Sequence, residues 1–226
     1  MNRRLFPAVA VALVLGALAA AVPAAEIQVT VTNRSGRPAP DVVVLLRPTR
    51  ATAAPLPSGT VIVQKDNRFE PYVTAIPVGT RVRFDNQDRY AHHVRSLGTG
   101  PMGAVPPAKS FELRLEGVQQ GPQASADMLF DAAGSVVLGC HIHGSMRGHV
   151  FIADTPWVAV TDTYGRATLA GLPDGPAELQ LWHPDQLSGQ AAQTVQLAPG
   201  STAEARLSFN PPRRPAPRPK SEYDFN

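Results

Sequence analysis

Apolar and polar residues alternate with a period of two along much of this chain. Between residues 27 and 32, Ile and Val alternate with Gln and Thr, which predicts a half-buried β-strand. Turn residues at 35–38 separate it from a second apolar run at 42–46. The same pattern predicts short strands at 60–63, 80–86, 93–97, 110–115, 135–140 and 148–153, and no amphipathic helical stripe of any length appears. The chain is therefore predicted to be all-β.

Glycine and proline divide these strands into two groups. The 23 prolines suit turns and edge strands and would interrupt helices. Many short strands with such punctuation are typical of sandwiches and barrels. A Pro- and Ala-rich stretch at 49–58 predicts a linker, and residues 153–156 predict a second boundary. The roughly 200 residues that follow position 24 suffice for two modest β domains, one of which would occupy 56–155.

The N-terminus has the features of a secretory signal peptide. Two arginines at positions 3 and 4 precede an almost uncharged run rich in Ala, Val and Leu up to residue 21. Small residues at Val22 and Ala24 predict cleavage after Ala24, so that 1–24 would be removed. The run is shorter than the roughly 20 residues that span a bilayer. We therefore expect a periplasmic or secreted protein with no stable membrane span after cleavage.

Charge offers no sign of a nucleic-acid partner. The whole chain has a formal charge of +3, and loss of Arg3 and Arg4 would leave +1. Much of the remaining basic character lies in a Pro- and Arg-rich tail at 210–226, which is predicted to be disordered.

The most informative motif surrounds Cys140, the single cysteine of the chain. One cysteine cannot form an internal disulfide, so in an exported protein it is inert, pairs with another chain or serves chemistry. His143 follows it by three positions and Met146 follows His143 by three. A thiolate, two imidazoles and a weak axial thioether are the ligands of electron-transfer copper sites. A buried apolar Cys and a core Met are the simpler alternative.

The fourth ligand would come from the adjacent histidines at 92 and 93. Val94 should face the core, and strand alternation gives His92 the same face as Val94 and His93 the opposite face. We therefore predict His92 as the ligand and keep His93 as the reserve. His141, beside the cysteine, is a second extra imidazole that could reach the metal, whereas His149 and His183 are predicted to be surface and structural groups.

Three segments of the chain resemble the cupredoxin family: residues 78–86 (VGTRVRFDN), 91–94 (AHHV) and 139–148 (GCHIHGSMRG). The short Cys-x-x-His-x-x-Met loop is similar to that of amicyanin. The same features are found in exported cupredoxin-like proteins often labelled methylamine utilization proteins, a label that says nothing about substrate. The resemblance implies a Greek-key β-sandwich with one copper ion (Cu+/Cu2+) bound by His92, Cys140, His143 and Met146. Two positions depart from the pattern, since His93 stands where cupredoxins commonly have Asn and His141 is an added polar group.

The flanking segments resemble a different β-sandwich, the transthyretin-like or carboxypeptidase-regulatory type. The resembling pieces are the strand pair within 25–48 and the VTDTYGRATLAGLPDG and LQLWHP segments within 156–209. This resemblance implies that the copper domain is inserted into a second, smaller sandwich. Alternatively, residues 26–48 extend the copper domain at its N-terminus.

The function that these features predict is that of an exported type 1 copper protein, which carries single electrons between redox partners. The alternative is a periplasmic protein that binds or delivers copper without carrying electrons. A catalytic role is not expected, because no acid orients a Cys-His pair and six histidines are too few for a multicopper oxidase. The terminal sandwich could also serve as a structural or interaction module.

Overall fold

The computed structural model describes residues 25–50, 59–121 and 123–214. Within these ranges the chain forms sixteen β-strands and one short 3₁₀ turn (Pro101–Gly103), and no α-helix. The strands are β1 (Ala25–Thr32), β2 (Val43–Pro48), β3 (Thr60–Lys65), β4 (Arg68–Glu70), β5 (Val73–Pro77), β6 (Thr80–Asn86), β7 (His92–Leu97), β8 (Glu112–Leu115), β9 (Ser125–Phe130), β10 (Gly134–Cys140), β11 (Arg147–Ala153), β12 (Val158–Val160), β13 (Arg166–Leu172), β14 (Gly175–Trp182), β15 (Gln193–Leu197) and β16 (Ser201–Arg206). The all-β prediction is confirmed.

Strands β3 to β11 form the central sandwich. One sheet has the order β5-β11-β10-β7-β8 and the other has the order β4-β3-β6-β9. Alternate residues of the facing strands fill the space between them, with Phe84, Phe130 and Leu138 among the largest fully buried side chains. The core also contains Cys140 and Met146, so the predicted copper loop packs at one end of this sandwich.

The terminal sandwich combines strands from both ends of the described chain. Its sheets have the orders β13-β1-β16 and β12-β2-β14-β15, so β1 and β2 pair with strands that follow residue 157. The apolar residues that alternate along β1 are completely buried between these sheets. The division of the chain at the predicted domain boundaries, and the transthyretin-like assignment, stay predictions.

Strand β2 is apolar on both faces because it contacts both sandwiches. Val44 and Leu46 belong to the core of the terminal sandwich. Val43 and Leu45 point the other way and pack with Val73 and Ala153 of the central sandwich. Burial on both faces explains the unbroken apolar run at 42–46.

The predicted strands lie where the structure has them, apart from shifts of a few residues at their ends, but several strands were not predicted. The central sandwich gains β4, β5 and β9. Strand β5 (VTAIP) is buried at four of its five positions, so it lacks the alternation on which the prediction depended. Residues 51–58, most of the predicted linker, lie outside the described residues, as do the predicted signal peptide and tail residues 215–226. No helix of the described chain is long and apolar enough to cross a membrane.

Candidate metal centre

The predicted site lies where two neighbouring strands and one loop meet. His92 is the first residue of β7 and Cys140 is the last residue of β10, and these strands are antiparallel neighbours with Cys140 opposite Val94. Both side chains therefore point into the core of the central sandwich. The loop that follows Cys140 turns back at once, because the amide of Met146 donates to the carbonyl of His143 at 3.0 Å. This turn brings the His143 ring over the other two side chains.

The three donor atoms of His92, Cys140 and His143 form a nearly regular triangle. The Cys140 Sγ lies 3.7 Å from the His92 Nδ1 and 3.7 Å from the His143 Nδ1, and the two nitrogens are 3.2 Å apart. A point equidistant from the three atoms lies about 2.1 Å from each, close to the ~2.0–2.3 Å bonds that imidazole and thiolate make to a metal ion. The donor set and its spacing thus fit a trigonal copper site.

A buried carboxylate fixes the orientation of the His92 ring. The Nε2 of His92 lies 2.8 Å from the Oδ2 of Asp88, and the two side chains are almost completely buried. An imidazole that donates from Nε2 keeps its lone pair on Nδ1, the atom that faces Cys140 and His143. Burial raises the pKa of Asp88, but hydrogen bonds from His92 and from the amides of Asp66 and Asn67 hold this pKa below its ordinary value. The carboxylate is therefore charged at neutral pH.

The Asp88 loop is held in place by Asn86. The side-chain amide of Asn86 donates to the carbonyls of Tyr90 at 2.8 Å and Glu116 at 2.9 Å. Its Oδ1 accepts from the amide of Asp88 at 2.9 Å. Asn86 is fully buried, so these bonds replace water that the loop backbone would otherwise need.

The surroundings of the thiol favour its charged form. Burial raises the pKa of Cys140, but the His92 ring 3.7 Å away and the backbone amides of His93, Ile142 and His143 outweigh this effect and lower the pKa. Burial also lowers the pKa of His143, as does its repulsion by the neighbouring His92 ring. A thiolate and a neutral imidazole are the protonation states that a metal ion requires.

Met146 and Tyr90 border the triangle. Met146 is 1% exposed and belongs to the same core cluster as Cys140. The Tyr90 ring packs against both imidazoles, with centroid distances of 5.4 Å to His92 and 5.3 Å to His143. Tyr90 therefore covers the side of the site where the two histidines meet.

His93, the reserve ligand, and His141, the extra imidazole, point away from the triangle. His93 lies on the outer face of the sheet, where its Nε2 is 3.4 Å from the Oε2 of Glu112. The Nε2 of His141 is 3.4 Å from the Oε1 of the same carboxylate. Strand alternation therefore predicted the faces of His92 and His93 correctly. The role of His92 as a ligand stays a prediction.

The other two histidines lie near the contact between the sandwiches. His149 was predicted to be a surface group, but it is half-buried and its Nε2 lies 3.1 Å from the Tyr72 hydroxyl. The surface prediction was wrong because the terminal sandwich covers this part of β11. His183 is buried, and its Nδ1 accepts from the amide of Asp185 at 3.1 Å.

Asp88, Asn86 and Tyr90 were missed by the sequence reasoning. A signal was present, because all three lie in the six residues before His92 and polar residues so close to a ligand commonly orient it. Choosing among Asp85, Asn86, Gln87 and Asp88 requires the loop conformation, which the sequence pattern does not provide.

No family model and no curated protein matches the chain. Among solved structures, the purple cupredoxin from Nitrosopumilus maritimus is similar with 21% identity over 42% of this chain and 99% of that chain, with a TM-score of 0.34. An oxidized mutant of amicyanin has 19% identity over 42% of this chain and 82% of its own, with a TM-score of 0.33. A copper-containing nitrite reductase from Thermus scotoductus has 22% identity over 55% of this chain and 28% of its own, with a TM-score of 0.37. The function proposed below depends on the arrangement of the site residues and not on these likenesses.

Proposed function

We propose that this protein binds one copper ion through His92, Cys140, His143 and Met146 and carries single electrons between redox partners. The observation that supports the proposal is the triangle of one sulfur and two nitrogen atoms, whose sides of 3.7, 3.7 and 3.2 Å suit a trigonal ion. Copper bound to a thiolate and two imidazoles cycles between Cu(I) and Cu(II) and supplies the one-electron chemistry.

The protein contributes a geometry that is set before metal binding. His92 is held by Asp88 and by the strand that it begins, and Cys140 is held by the pairing of β10 with β7. Ligands that cannot move adjust little between the two oxidation states, which keeps the cost of electron transfer low. Met146, which is buried in the same core cluster as Cys140, would supply a weakly bound thioether as the fourth ligand.

His143 is the ligand through which a partner would be reached. It is partly exposed, whereas His92 is fully buried. The adjacent Ile142 is 54% exposed and adds an apolar contact at the same surface. A small patch of this kind suits a short-lived encounter between redox proteins.

Copper titration of the mature chain tests the proposal. One equivalent of Cu(II) should give an intense thiolate-to-copper absorption band in the red and a narrow hyperfine splitting in the electron paramagnetic resonance spectrum. The band should vanish in Cys140→Ser and remain in Ser145→Ala, a change at an exposed position of the same loop. A reversible one-electron couple in voltammetry is also expected, and its absence together with a missing band would refute the proposal.

Copper binding or delivery without electron transfer is the second candidate. The observation that favours it is the charged Asp88 beside His92, because added negative charge stabilises Cu(II) over Cu(I). A site that binds Cu(II) with the thiolate band but shows no reversible couple would support this alternative.

We extend the proposal to the location and organisation of the protein. The predicted signal peptide at 1–24 supports export to the periplasm or beyond. The pairing of β1 and β2 with strands after residue 157 supports a copper domain inserted into a transthyretin-like sandwich. Western blotting of fractionated cells and N-terminal sequencing of the exported protein would test the first point, since cleavage after Ala24 is expected.

A further inference from the structure

The segment that follows β16 is held against the terminal sandwich as far as Asn210. The amide of Arg34 donates to the carbonyl of Phe209 at 3.1 Å, and the hydroxyl of Ser35 donates to the Asn210 Oδ1 at 2.7 Å. The Phe209 ring also packs against the core of this sandwich. Residues 211–214 continue from this anchored point and form one wall of a cleft of about 480 Å³.

The cleft lies between the two sandwiches. Tyr72 of the central sandwich lines it, and so do Asp41, His183 and Asp185 of the terminal sandwich. Tyr72 directly precedes β5, and its carbonyl accepts from the amide of His149 in β11 at 2.8 Å. Asp41 lies in the turn before β2. Tyr72 and Asp41 therefore belong to different sandwiches but face the same space.

Arg214 contacts both sandwiches with one side chain. Its guanidinium lies over the Tyr72 ring, 4.1 Å from the ring centroid, and it forms an ion pair with Asp41. A guanidinium can bind an aromatic face and a carboxylate together because it is planar and carries several donors. The Asp41 side chain is only 19% exposed, so water screens this ion pair less than it would at an open surface. Tyr72 and Asp41 thus form a guanidinium site.

The residues before Arg214 favour this contact. Pro211 and Pro212 have a restricted φ and no amide donor, so the chain that leads to Arg214 has few conformations to lose when the guanidinium binds. Arg213 lines the same cleft but forms no ion pair with any residue that the structure describes. The contact is therefore specific to one of two adjacent arginines.

We propose that residues 211–214 act as a clamp that holds the terminal sandwich to the central sandwich, with Arg214 bound in the guanidinium site of Tyr72 and Asp41. Apolar contacts of β2 with Val73 and Ala153 also join the two sandwiches. Release of Arg214 would therefore open the cleft without separating them.

Histidine titration of the metal-free protein tests the position of Arg214. Burial lowers the pKa of both His149 and His183, and the positive charge of Arg214 lowers both further. In Arg214→Gln the midpoints that NMR measures for the two histidines should therefore move to higher pH. Arg213→Gln, the matched control, should leave them in place. Unchanged midpoints in Arg214→Gln would overturn the placement of Arg214 in the cleft.

Trypsin measures how firmly the clamp is closed, because cleavage of the Arg213–Arg214 bond requires Arg214 to leave the cleft. The double variant Tyr72→Leu/Asp41→Asn removes both contacts. A cation–π contact and an ion pair of ordinary strength together change the ratio of closed to open clamp by about threefold to thirtyfold. Cleavage should accelerate by a similar factor, and mass spectrometry of the fragment that ends at Arg213 gives the rate.

Single changes are the controls for the double variant. Asn tolerates the φ of 61° at Asp41, so Asp41→Asn removes the charge without straining the turn and should give part of the acceleration. Tyr72→Phe keeps the aromatic face and should retain most of the protection. Cleavage of the double variant at the wild-type rate would overturn the clamp. A wild-type rate that falls as the protein concentration rises would place Arg214 in a second copy of the chain and would overturn it as well.

Discussion

The Nε2 of His92 lies 2.8 Å from the Oδ2 of Asp88, and this buried pair places a full negative charge behind a predicted copper ligand. The charge stabilises Cu(II) more than Cu(I). Replacing Asp88 by Asn should therefore raise the reduction potential. For two charges about 6–7 Å apart at an effective dielectric constant near 20, the change is on the order of 2 kcal/mol, or roughly 100 mV. Voltammetry of the copper-loaded variant measures it.

Asp85→Asn is the matched control for this prediction. Asp85 also carries a carboxylate in the segment that leads to His92, but it is partly exposed and lies near Arg83. Its replacement should change the potential little, because solvent screens the charge. Equal shifts in the two variants would show that the general field of the protein, and not the His92–Asp88 contact, sets the potential.

The sequence was sufficient to predict the parts of the site that follow strand alternation. Val94 was expected to face the core, and alternation along the strand then predicted that His92 shares this face and that His93 lies on the outer face, as the structure has them. The loop motif places Cys140, His143 and Met146 at successive intervals of three residues, so a short turn is enough to gather them. The prediction failed where side chains meet across the fold, as with Asp88 behind His92 and Glu112 between His93 and His141. Such contacts depend on register and loop conformation, which a period-two pattern does not determine.

Asn86 should be essential for the stability of the ligand loop. Its side chain donates to two backbone carbonyls and accepts from the amide of Asp88, all within a buried region. Asn86→Ala leaves these groups without partners and should lower the free energy of unfolding by about 2–3 kcal/mol. Urea denaturation of the metal-free protein measures this loss. Gln123→Ala, at an exposed position, should have almost no effect, and an equally small loss for Asn86→Ala would contradict the assigned role.

Acid should destabilise the contact between the two sandwiches. Burial lowers the pKa of His149 to about 4, with further lowering by His183, Arg214 and Arg147. Burial likewise lowers the pKa of His183 to about 4, although the nearby Asp41 opposes this effect. Both histidines stay neutral in the folded protein while those of the unfolded chain take up protons below their ordinary value of 6.5.

The contribution of the two neutral histidines to the free energy of unfolding is therefore complete above about pH 6.5, and it falls as the pH drops towards 4. By pH 4 the loss should be on the order of 3 kcal/mol for each histidine, or about 6 kcal/mol together, which for a chain of this size corresponds to roughly 12–24 °C in Tm. Thermal unfolding of the metal-free protein at several pH values measures it. His183→Gln should flatten the dependence on pH, whereas an unchanged slope would assign the acid sensitivity to other groups.

Met146 should tune the potential without being needed for the absorption band. The band originates from the thiolate, so Met146→Leu should retain it. As the proposed weak ligand, the thioether of Met146 would stabilise the electron-poorer Cu(II), so its removal should raise the reduction potential. The swap conserves volume, so the cost in stability should be below about 1.5 kcal/mol even though Met146 is 1% exposed.

Met128→Leu is the control for Met146→Leu, because Met128 packs against the same core from β9. It should leave both the band and the potential unchanged. If Met146→Leu also leaves the potential unchanged, Met146 is core packing and the copper site has only three protein ligands. A higher potential in Met146→Leu alone would instead place the thioether on the metal, because a methionine that only fills the core has no means of distinguishing Cu(I) from Cu(II).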